Sequence, residues 1–516
     1  MNAISAPTPI IPETAPFSGQ QRAWLNGFLA GLYGAAASAQ QSLAASPVEA
    51  EEDFPWHDPA LELAERQALA REKPFSRQLM AAMAQLDCGQ CGYLCQSYAE
   101  ALAEGRETSP SLCVPGAKET ARAVKALLAE APTPIVASAA PAIVVQKPAT
   151  SEVAVTAARR LTGAGSAKDV RHIVIDLANS ALSYTPGDSV SIAAPNDPAL
   201  VEATLTALRA TGNEPVVCPD GEARTLRDAF AAHLDIARPL DRTLLLLAMS
   251  ATHEPHAVAL RKLADGEDNA EPDGADLLDL VTAFPSARPK LSDLARSLPS
   301  LKPRLYSIAS SLRATPGEVH LCVSTIRDQR RGRVRGGIAS AFLADRAIGA
   351  GKLPASIQTS HFRLPADPTV PLIMCGPGTG IAPFRAFLQE REILGQTGRT
   401  WLFFGDQHCE TDFLYEPEIT AWRANGTLSR LDTAFSRDQK EKIYVQHRML
   451  ENAADLWRWL QDGGYFYVCG DAMRMAKDVD AALRKIAMTE GKLDEAQSRD
   501  WMAALARQGR YQRDVY

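Results

Sequence analysis

The chain has nine cysteines, and four of them crowd together among glycines: Asp87-Cys88-Gly89-Gln90-Cys91-Gly92-Tyr93-Leu94-Cys95, then Cys113-Val114-Pro115-Gly116. A chain this long does not need disulfides, so in a reducing compartment such crowding points to a metal site. Close thiolates around glycines can wrap an iron-sulfur cubane, with a fourth ligand arriving from a more distant loop. The two-residue spacing also suits tetrahedral zinc. A second motif, Cys375-Gly376-Pro377-Gly378-Thr379-Gly380-Ile381-Ala382-Pro383-Phe384, reads as a strand that ends in glycines and opens a helix. Glycines let backbone amides approach a pyrophosphate, and the helix amino end offers unpaired N-H groups and partial positive charge. The spacing is not the ordinary G-x-G-x-x-G fingerprint. A third stretch, Ser436-Arg437-Asp438-Gln439-Lys440-Glu441-Lys442-Ile443-Tyr444-Val445-Gln446, places a hydroxyl, cations and a ring just after an expected strand. Arg and Lys there suit an extra phosphate and favour NADPH over NADH. An exposed charged loop is the plain alternative. No Ser/His/Asp or Cys/His pattern supports hydrolysis.

These residues need elements to hold them. Residues 17–45 are Ala-rich with apolar positions at helical spacing, which predicts one or two small helices. A helical stretch near 59–86 leads into the cysteines and another, 117–131, follows them. Residues 131–152 are rich in Ala and Pro and read as a linker. Beyond it strand patterns at 172–177 and 189–193 flank the Pro186-Gly187-Asp188 turn and predict an antiparallel sheet or barrel. Residues 198–295 are mostly helical, with acidic loops such as 265–276 read as solvated turns, and strands return at 304–310 and 318–324. The expectation is a barrel interrupted by a helical insert. The last part alternates strand and helix, at 372–375, 400–405 and 465–469, which implies a doubly wound parallel sheet that binds ligands at the carboxyl ends of its strands.

The 516 residues leave room for about three or four folded units. Composition is 46% hydrophobic and 22% charged, ordinary globular usage, and a formal charge of -7 gives no electrostatic case for nucleic acid. The start, Met1 to Phe17, has no basic region followed by an apolar one, and no run nears the ~20 apolar residues that span a bilayer. A soluble, cytoplasmic protein that binds neither nucleic acid nor membrane is expected, with its oligomeric state undetermined.

From about residue 155 onward the blocks RLYSIASS, EVHLCVSTIRD, GRVRGGIASAFLADR, CGPGTGIAPFRAFLQER, SRDQKEKIYVQHRM, YFYVCGDAMRMAKDV and RYQRDVY resemble the flavoprotein (alpha) subunits of NADPH sulfite reductase, within the ferredoxin-NADP reductase and diflavin reductase families. The resemblance implies an FAD-binding antiparallel barrel with a helical connecting insert (155–365, insert at about 198–295) followed by a parallel NADPH-binding domain (366–516). It implies that Arg304, in the block with Leu305, pairs with FAD phosphate, that Tyr306 lies on the flavin, and that Ser307 hydrogen-bonds near its N5. The amides of Gly337, Ile338, Ala339 and Ser340 would hold the FAD pyrophosphate, and Cys322, Val323 and Ser324 would pass beside the flavin. Gly376, Gly378, Thr379 and Gly380 form the phosphate-facing turn. Ser436, Arg437, Lys442, Ile443, Tyr444, Val445, Gln446 and Asp478 match the NADPH region. Ser307, Cys469 and Asp514 match a trio assisting hydride transfer, and Tyr516 the aromatic residue shielding the flavin ring.

The chain departs from the pattern in two places. Where relatives carry a tyrosine after the arginine matched by Arg327, it has Asp328, which puts stacking on the FAD adenine in doubt. Arg330, Arg331, Arg333 and Arg335 follow, read mostly as a solvated loop. Diflavin reductases also place a flavodoxin domain ahead of the FAD unit, and residues 1–130 lack the alternating strands and helices to build one. Instead the stretch Cys88 to Gly116 resembles the small four-cysteine [4Fe-4S] domain of electron-transport and corrinoid iron-sulfur proteins (76–130, after an N-terminal helical segment 1–75 and before a linker 131–154). Together these imply a multidomain α/β-plus-barrel protein carrying electrons from NADPH to FAD to [4Fe-4S] to an external acceptor. The resemblance names the sulfite reductase hemoprotein as that acceptor. An assimilatory nitrate or nitrite reductase, a flavodoxin or a cytochrome would use the same upstream chemistry. A redox sensor or scaffold with a structural zinc site is the reading from another class.

Overall fold

The structure is a computed structural model. It describes Phe54, Trp56, His57, 61–86, Cys91, 93–130 and 150–516, apart from residues 268, 269, 273 and 397. The helices expected at 17–45, most of the linker, and Cys88 lie outside the described residues. The chain divides into two units, Met1–Pro55 and Trp56–Tyr516, and the helices and strands of the described residues all belong to the second.

The described residues between 61 and 130 form helices joined by loops. The expected stretch toward residue 86 forms two helices, Leu63–Ala70 and Phe75–Ala81, with Pro74 as the N-cap of the second. After the cysteine loop come the helices Cys95–Ala103 and Ala117–Glu130.

Next come β1 (Ser151–Arg160), β2 (Val170–Asp176) and β3 (Ser189–Ile192), so the first strand begins inside the stretch expected as linker. A helical insert bearing the short pair β4 (Pro215–Val217) and β5 (Ala223–Thr225) separates them from β6 (Arg304–Ser307) and β7 (Glu318–Ser324). The hairpin of β8 (Arg327–Arg330) and β9 (Arg333–Gly336) precedes β10 (Lys352–Gln358). Six strands pair in the order β6-β3-β10-β1-β2-β7, all antiparallel. The two outer strands are joined by an antiparallel bridge, Ile308 with Leu321, and by the Ala309 amide on the His320 carbonyl at 2.7 Å. That bridge curls the sheet toward closure, bringing its two outer strands together where β6 ends. Alternation fills its interior: Ile173, Ile175, Val190, Ile192, Val319 and Leu321 point inward against Phe342 and Leu343.

The parallel domain holds β11 (Leu372–Cys375), β12 (Thr400–Asp406), β13 (Arg430–Phe435), β14 (Tyr465–Gly470) and β15 (Tyr511–Val515). Their order is β13-β12-β11-β14-β15, every pair parallel. Every residue of β11 and β12 is buried, the mark of strands covered on both faces by helices. Because β12 and β14 lie on opposite sides of β11, a crevice opens at the carboxyl ends beside it.

One apolar cluster joins the barrel to this domain. Val170, Ala309, Cys322 and Phe362 pack with Phe384, Phe387, Tyr415, Tyr467 and Cys469. His172 Nδ1 lies 2.9 Å from the Tyr415 hydroxyl, and Arg385 donates to the Ala309 carbonyl at 2.6 Å. Burial, with the Arg385 charge adding to it, lowers the His172 pKa to about 3, so the seam carries a neutral imidazole.

Two expectations are corrected here. The acidic loop before the helix Leu277–Ala283 is not simply solvated: Asp276 is its N-cap, and Asp276 and Asp279 are buried. The arginines after Asp328 are not mostly a solvated loop either. They form β8 and β9, and Arg333 reaches Asp276 at 2.9 Å while Arg331 reaches Asp279 at 3.2 Å and Arg335 pairs with both carboxylates. Buried carboxylates need cations, and the arginine hairpin supplies them.

Candidate active site

β6 and β15 bring together side chains more than two hundred positions apart. The Ser307 hydroxyl donates to Asp514 Oδ2 at 2.5 Å, and the Cys469 thiol lies 3.6 Å from the same oxygen. Burial raises the Asp514 pKa against the pull of these two donors. Burial also pushes the Cys469 thiol well above its usual range, and the Asp514 charge adds to the shift. The thiol therefore stays protonated as a second donor to Asp514. Cys322, on β7, is buried in the same cluster with its thiol pushed up to about 12. Tyr516, just past β15, is tied to the crevice by its hydroxyl 2.9 Å from Thr379 Oγ1 and by its amide on the Gly470 carbonyl at 3.0 Å. The residue as a whole is 45% exposed.

The glycines after β11 have different tasks. A Cβ at Gly380 would fall 2.0 Å from the Cys469 carbonyl oxygen, and one at Gly376 would fall 2.5 Å from the Phe384 ring. These two let the turn pass close to β14 and to its own helix. Gly378 has φ +58°, which a side chain would strain, and a Cβ there would only touch Asp406 at 3.7 Å and Lys168 at 4.0 Å without a clash. Pro383 sits in the first turn of the helix Ala382–Ile393.

From there a groove of about 480 Å³ runs over the strand ends, lined by Gly378, Ser436, Arg437, Lys442, Tyr444, Val445, Gln446 and Asp478. Gln446 Nε2 donates to Asp478 at 3.0 Å. The side chains of Arg437 and Lys442 are exposed and have no protein partner among the described residues. Ile443 is outside this lining and packs against the neighbouring core. Sequence reasoning missed Lys168, Asp406, Arg474 and Met475, which also line the groove. Asp406 pairs with Lys168, yet its Oδ2 has no hydrogen-bond partner although the side chain is fully buried. Burial raises its pKa. Its place at the end of the strand beside the glycine turn was the signal that could have found it.

The expected FAD residues form a second group on the barrel. Arg304 lies 3.8 Å from Asp235, Leu305 is exposed, and Tyr306 leans on the barrel core, where burial raises its pKa. Val323 is buried and Ser324 exposed on β7. The helix Ile338–Asp345 starts at Gly337 with no side chain capping it, so its first amides have no intrahelical partner. A Cβ at Gly337 would fall 2.6 Å from Ser340 Oγ, and that hydroxyl accepts from the Ile326 amide at 3.2 Å. Ala339 and Ser340 are buried behind it. A bare amino end backed by small residues fits a pyrophosphate. Asp328 pairs with Arg330.

Cys91, Cys95 and Cys113 line one small pocket with Met83, Tyr93, Tyr98 and Pro115. Among the described residues no three ligating side chains stand close enough together to hold one ion, but three thiols on one pocket have the chemistry an iron-sulfur cluster needs. Gly116 packs tightly beside them, where a Cβ would fall 2.0 Å from Thr120 Oγ1 and 3.2 Å from the Cys113 sulfur.

Three family models match the chain: "FAD binding domain" over residues 144–342, "Oxidoreductase NAD-binding domain" over 374–481 and "Putative Fe-S cluster" over 83–115. The sulfite reductase [NADPH] flavoprotein alpha-component of Bacillus subtilis (strain 168) is 42% identical over 361 residues, 69% of this chain and 59% of the relative. The protein of that name from Yersinia pestis is 42% identical over 371 residues, 72% of this chain and 60% of the relative. That from Salmonella typhi is 41% identical over 373 residues, 69% and 59%. The chain thus spans about three fifths of the length of the curated relatives it matches. It is a homologue of the NADPH sulfite reductase flavoprotein alpha-components, with FAD- and NAD-binding domains of the ferredoxin-NADP reductase type preceded by an iron-sulfur domain.

Proposed function

We propose that this chain takes a hydride from NADPH onto bound FAD and passes the electrons on singly, through a [4Fe-4S] cluster on Cys88, Cys91, Cys95 and Cys113, to the hemoprotein of sulfite reductase. The observation that carries the reading is the meeting of Ser307, Cys469 and Asp514 where the barrel abuts the carboxyl ends of β14 and β15. A groove bearing two cations without a protein partner among the described residues opens beside it. The acceptor rests on the names of the relatives.

When bound, the flavin supplies the conversion from a two-electron donor to one-electron transfers. The protein's task is to align and to exclude water. Ser307 commits its hydrogen to Asp514, which leaves the lone pairs of its Oγ free to accept an N-H. Asp514, held by two donors, keeps Ser307 in place and can return or receive that proton. Arg437, Lys442 and Ser436 offer charge and hydrogen bonds to a 2′-phosphate, and the amides of Ile338, Ala339 and Ser340 in the first turn after Gly337, whose own amide is held by the Ile326 carbonyl at 3.0 Å, would hold the FAD pyrophosphate. Tyr516 would cover the flavin ring and must swing away to admit nicotinamide, breaking its bond to Thr379.

The test is anaerobic mixing with NADPH. The flavin absorbance should bleach, and the Cys91→Ser variant should still bleach while no longer passing electrons to sulfite reductase hemoprotein. Flavin that does not bleach sinks the enzyme reading. Activity with a nitrite reductase or cytochrome but not with the hemoprotein removes the acceptor alone.

A further inference from the structure

Arg66 has no part in the groove or the trio. It sits on the helix Leu63–Ala70 and is 8% exposed. One end of its guanidinium donates to the carbonyl of Met83, a wall of the pocket lined by Cys91, Cys95 and Cys113. Its Nε is buried and finds no partner among the described residues.

A cation removed from water needs an anion removed from water as well. The anionic or acidic groups within electrostatic reach of Arg66 are Glu119, Cys95, Cys113 and Glu62. Glu119 is exposed, and Glu62 is 77% exposed and engaged with Lys477 at 2.9 Å. Solvent screens both. Cys113 is buried and Cys95 half-buried, and each carries negative charge once it ligates a metal, because the ligand is the thiolate.

We propose that Arg66 is the fixed counter-ion of the iron-sulfur cluster and raises its reduction potential; this rests on the reading that the four cysteines hold such a cluster. One electron arriving from the reduced flavin adds one negative charge to the cluster. No proton is needed, because Arg66 remains charged throughout. A fixed positive charge stabilises the reduced form more than the oxidised one, and net charge and hydrogen bonding are the levers that set such potentials. The low dielectric around a buried guanidinium strengthens the effect. The consequence is a cluster able to draw electrons from the flavin.

The experiment is a redox titration of the full chain, purified anaerobically with its FAD, following the cluster by electron paramagnetic resonance and the flavin by absorbance. Arg66→Gln should lower the reduced-to-oxidised ratio of the cluster about tenfold at the poise where the parent is half reduced, a shift of about 59 mV for one electron. Arg66→Lys should restore most of it, and the flavin titration should not move. An unchanged cluster potential in Arg66→Gln, with iron and sulfide retained, overturns the proposal. If Arg66→Gln holds no cluster while Arg66→Lys holds one at the parental potential, the requirement for charge stands. Loss of iron from both variants with FAD retained overturns the tuning role. Zinc instead of iron and sulfide in the parent defeats the underlying reading rather than the role of Arg66.

Discussion

At the scale of single residues, the groove and the trio make separate demands. Arg437 has no protein partner among the described residues, so its charge is available to a ligand. A charge-assisted hydrogen bond contributes about 1.5 to 3 kcal/mol, so Arg437→Ala should weaken NADPH binding by roughly ten- to a hundredfold and leave NADH nearly unchanged. Equilibrium titration with both nucleotides decides it, and equal losses would remove the 2′-phosphate role. For Asp514 the expectation concerns pH. Burial raises its pKa above the unfolded value, so the folded state holds its proton more tightly than the unfolded chain does. Any stability linked to that proton is present below the unfolded pKa and fades as pH rises through the raised folded value. Asp514→Asn should therefore flatten part of the decline that sets in as pH rises above the ordinary carboxylate range in thermal midpoints measured with FAD bound. A parallel pair of curves would show that Asp514 does not titrate in that window. The trio residues could be matched in the sequence because each lies in a contiguous block. Asp406 offered only its place at a strand end, and Lys168 offered no signal, because their pairing joins a barrel loop to a strand end of the other domain.

At the scale of elements, the glycine turn works by closeness rather than by flexibility alone. Gly380→Ala would drive a methyl group to 2.0 Å from the backbone oxygen of Cys469, and neither element is a flexible side chain that can yield. The turn must shift away from β14, and both the groove and Cys469 shift with it. NADPH affinity and the rate of flavin bleaching should fall together, while Gly378→Ala, with no clash but φ +58°, should show backbone strain of about 1 kcal/mol and a milder loss. Equal behaviour of the two variants would refute the division of tasks. The strand-helix alternation behind this turn was legible because buried parallel strands form short apolar runs such as Leu372–Cys375. The hairpin of β8 and β9 was not legible. Its sequence is nearly all charge, and its reason for folding is a pair of buried carboxylates about fifty positions earlier. Removing one side of that network, as in Asp276→Ala, should cost about 3 kcal/mol in denaturant unfolding. It should also loosen FAD, since β9 leads directly into Gly337. β2 and β3 were visible through alternation while β1 was not, and closure of the barrel depends on long-range pairing that no local pattern encodes.

At the scale of the whole molecule, the question is how the cysteine domain meets the reductase domains. Lys125 lies 2.8 Å from Asp241 and 2.9 Å from the Ala264 carbonyl, and Arg122 donates to the Gly266 carbonyl at 2.8 Å. Both cations stand at the carboxyl end of the helix Glu254–Asp265, where unpaired carbonyls favour positive charge. Glu62 and Lys477 make a further contact with the parallel domain. Contacts of this kind contribute about 0.2 to 1 kcal/mol each and are screened by salt. A docking built on them can be released, unlike the apolar seam between barrel and parallel sheet. Lys125→Glu places like charges opposite one another at Asp241 and on the negative helix end, so the docked fraction should fall several-fold. Stopped-flow mixing with NADPH separates the consequences: flavin bleaching should keep its rate, reduction of the iron-sulfur centre should slow, and the slowing that added salt causes in the parent should be largely absent from the variant. If the variant reduces its centre at the parental rate and with the parental salt dependence, this face does not govern electron passage between the domains.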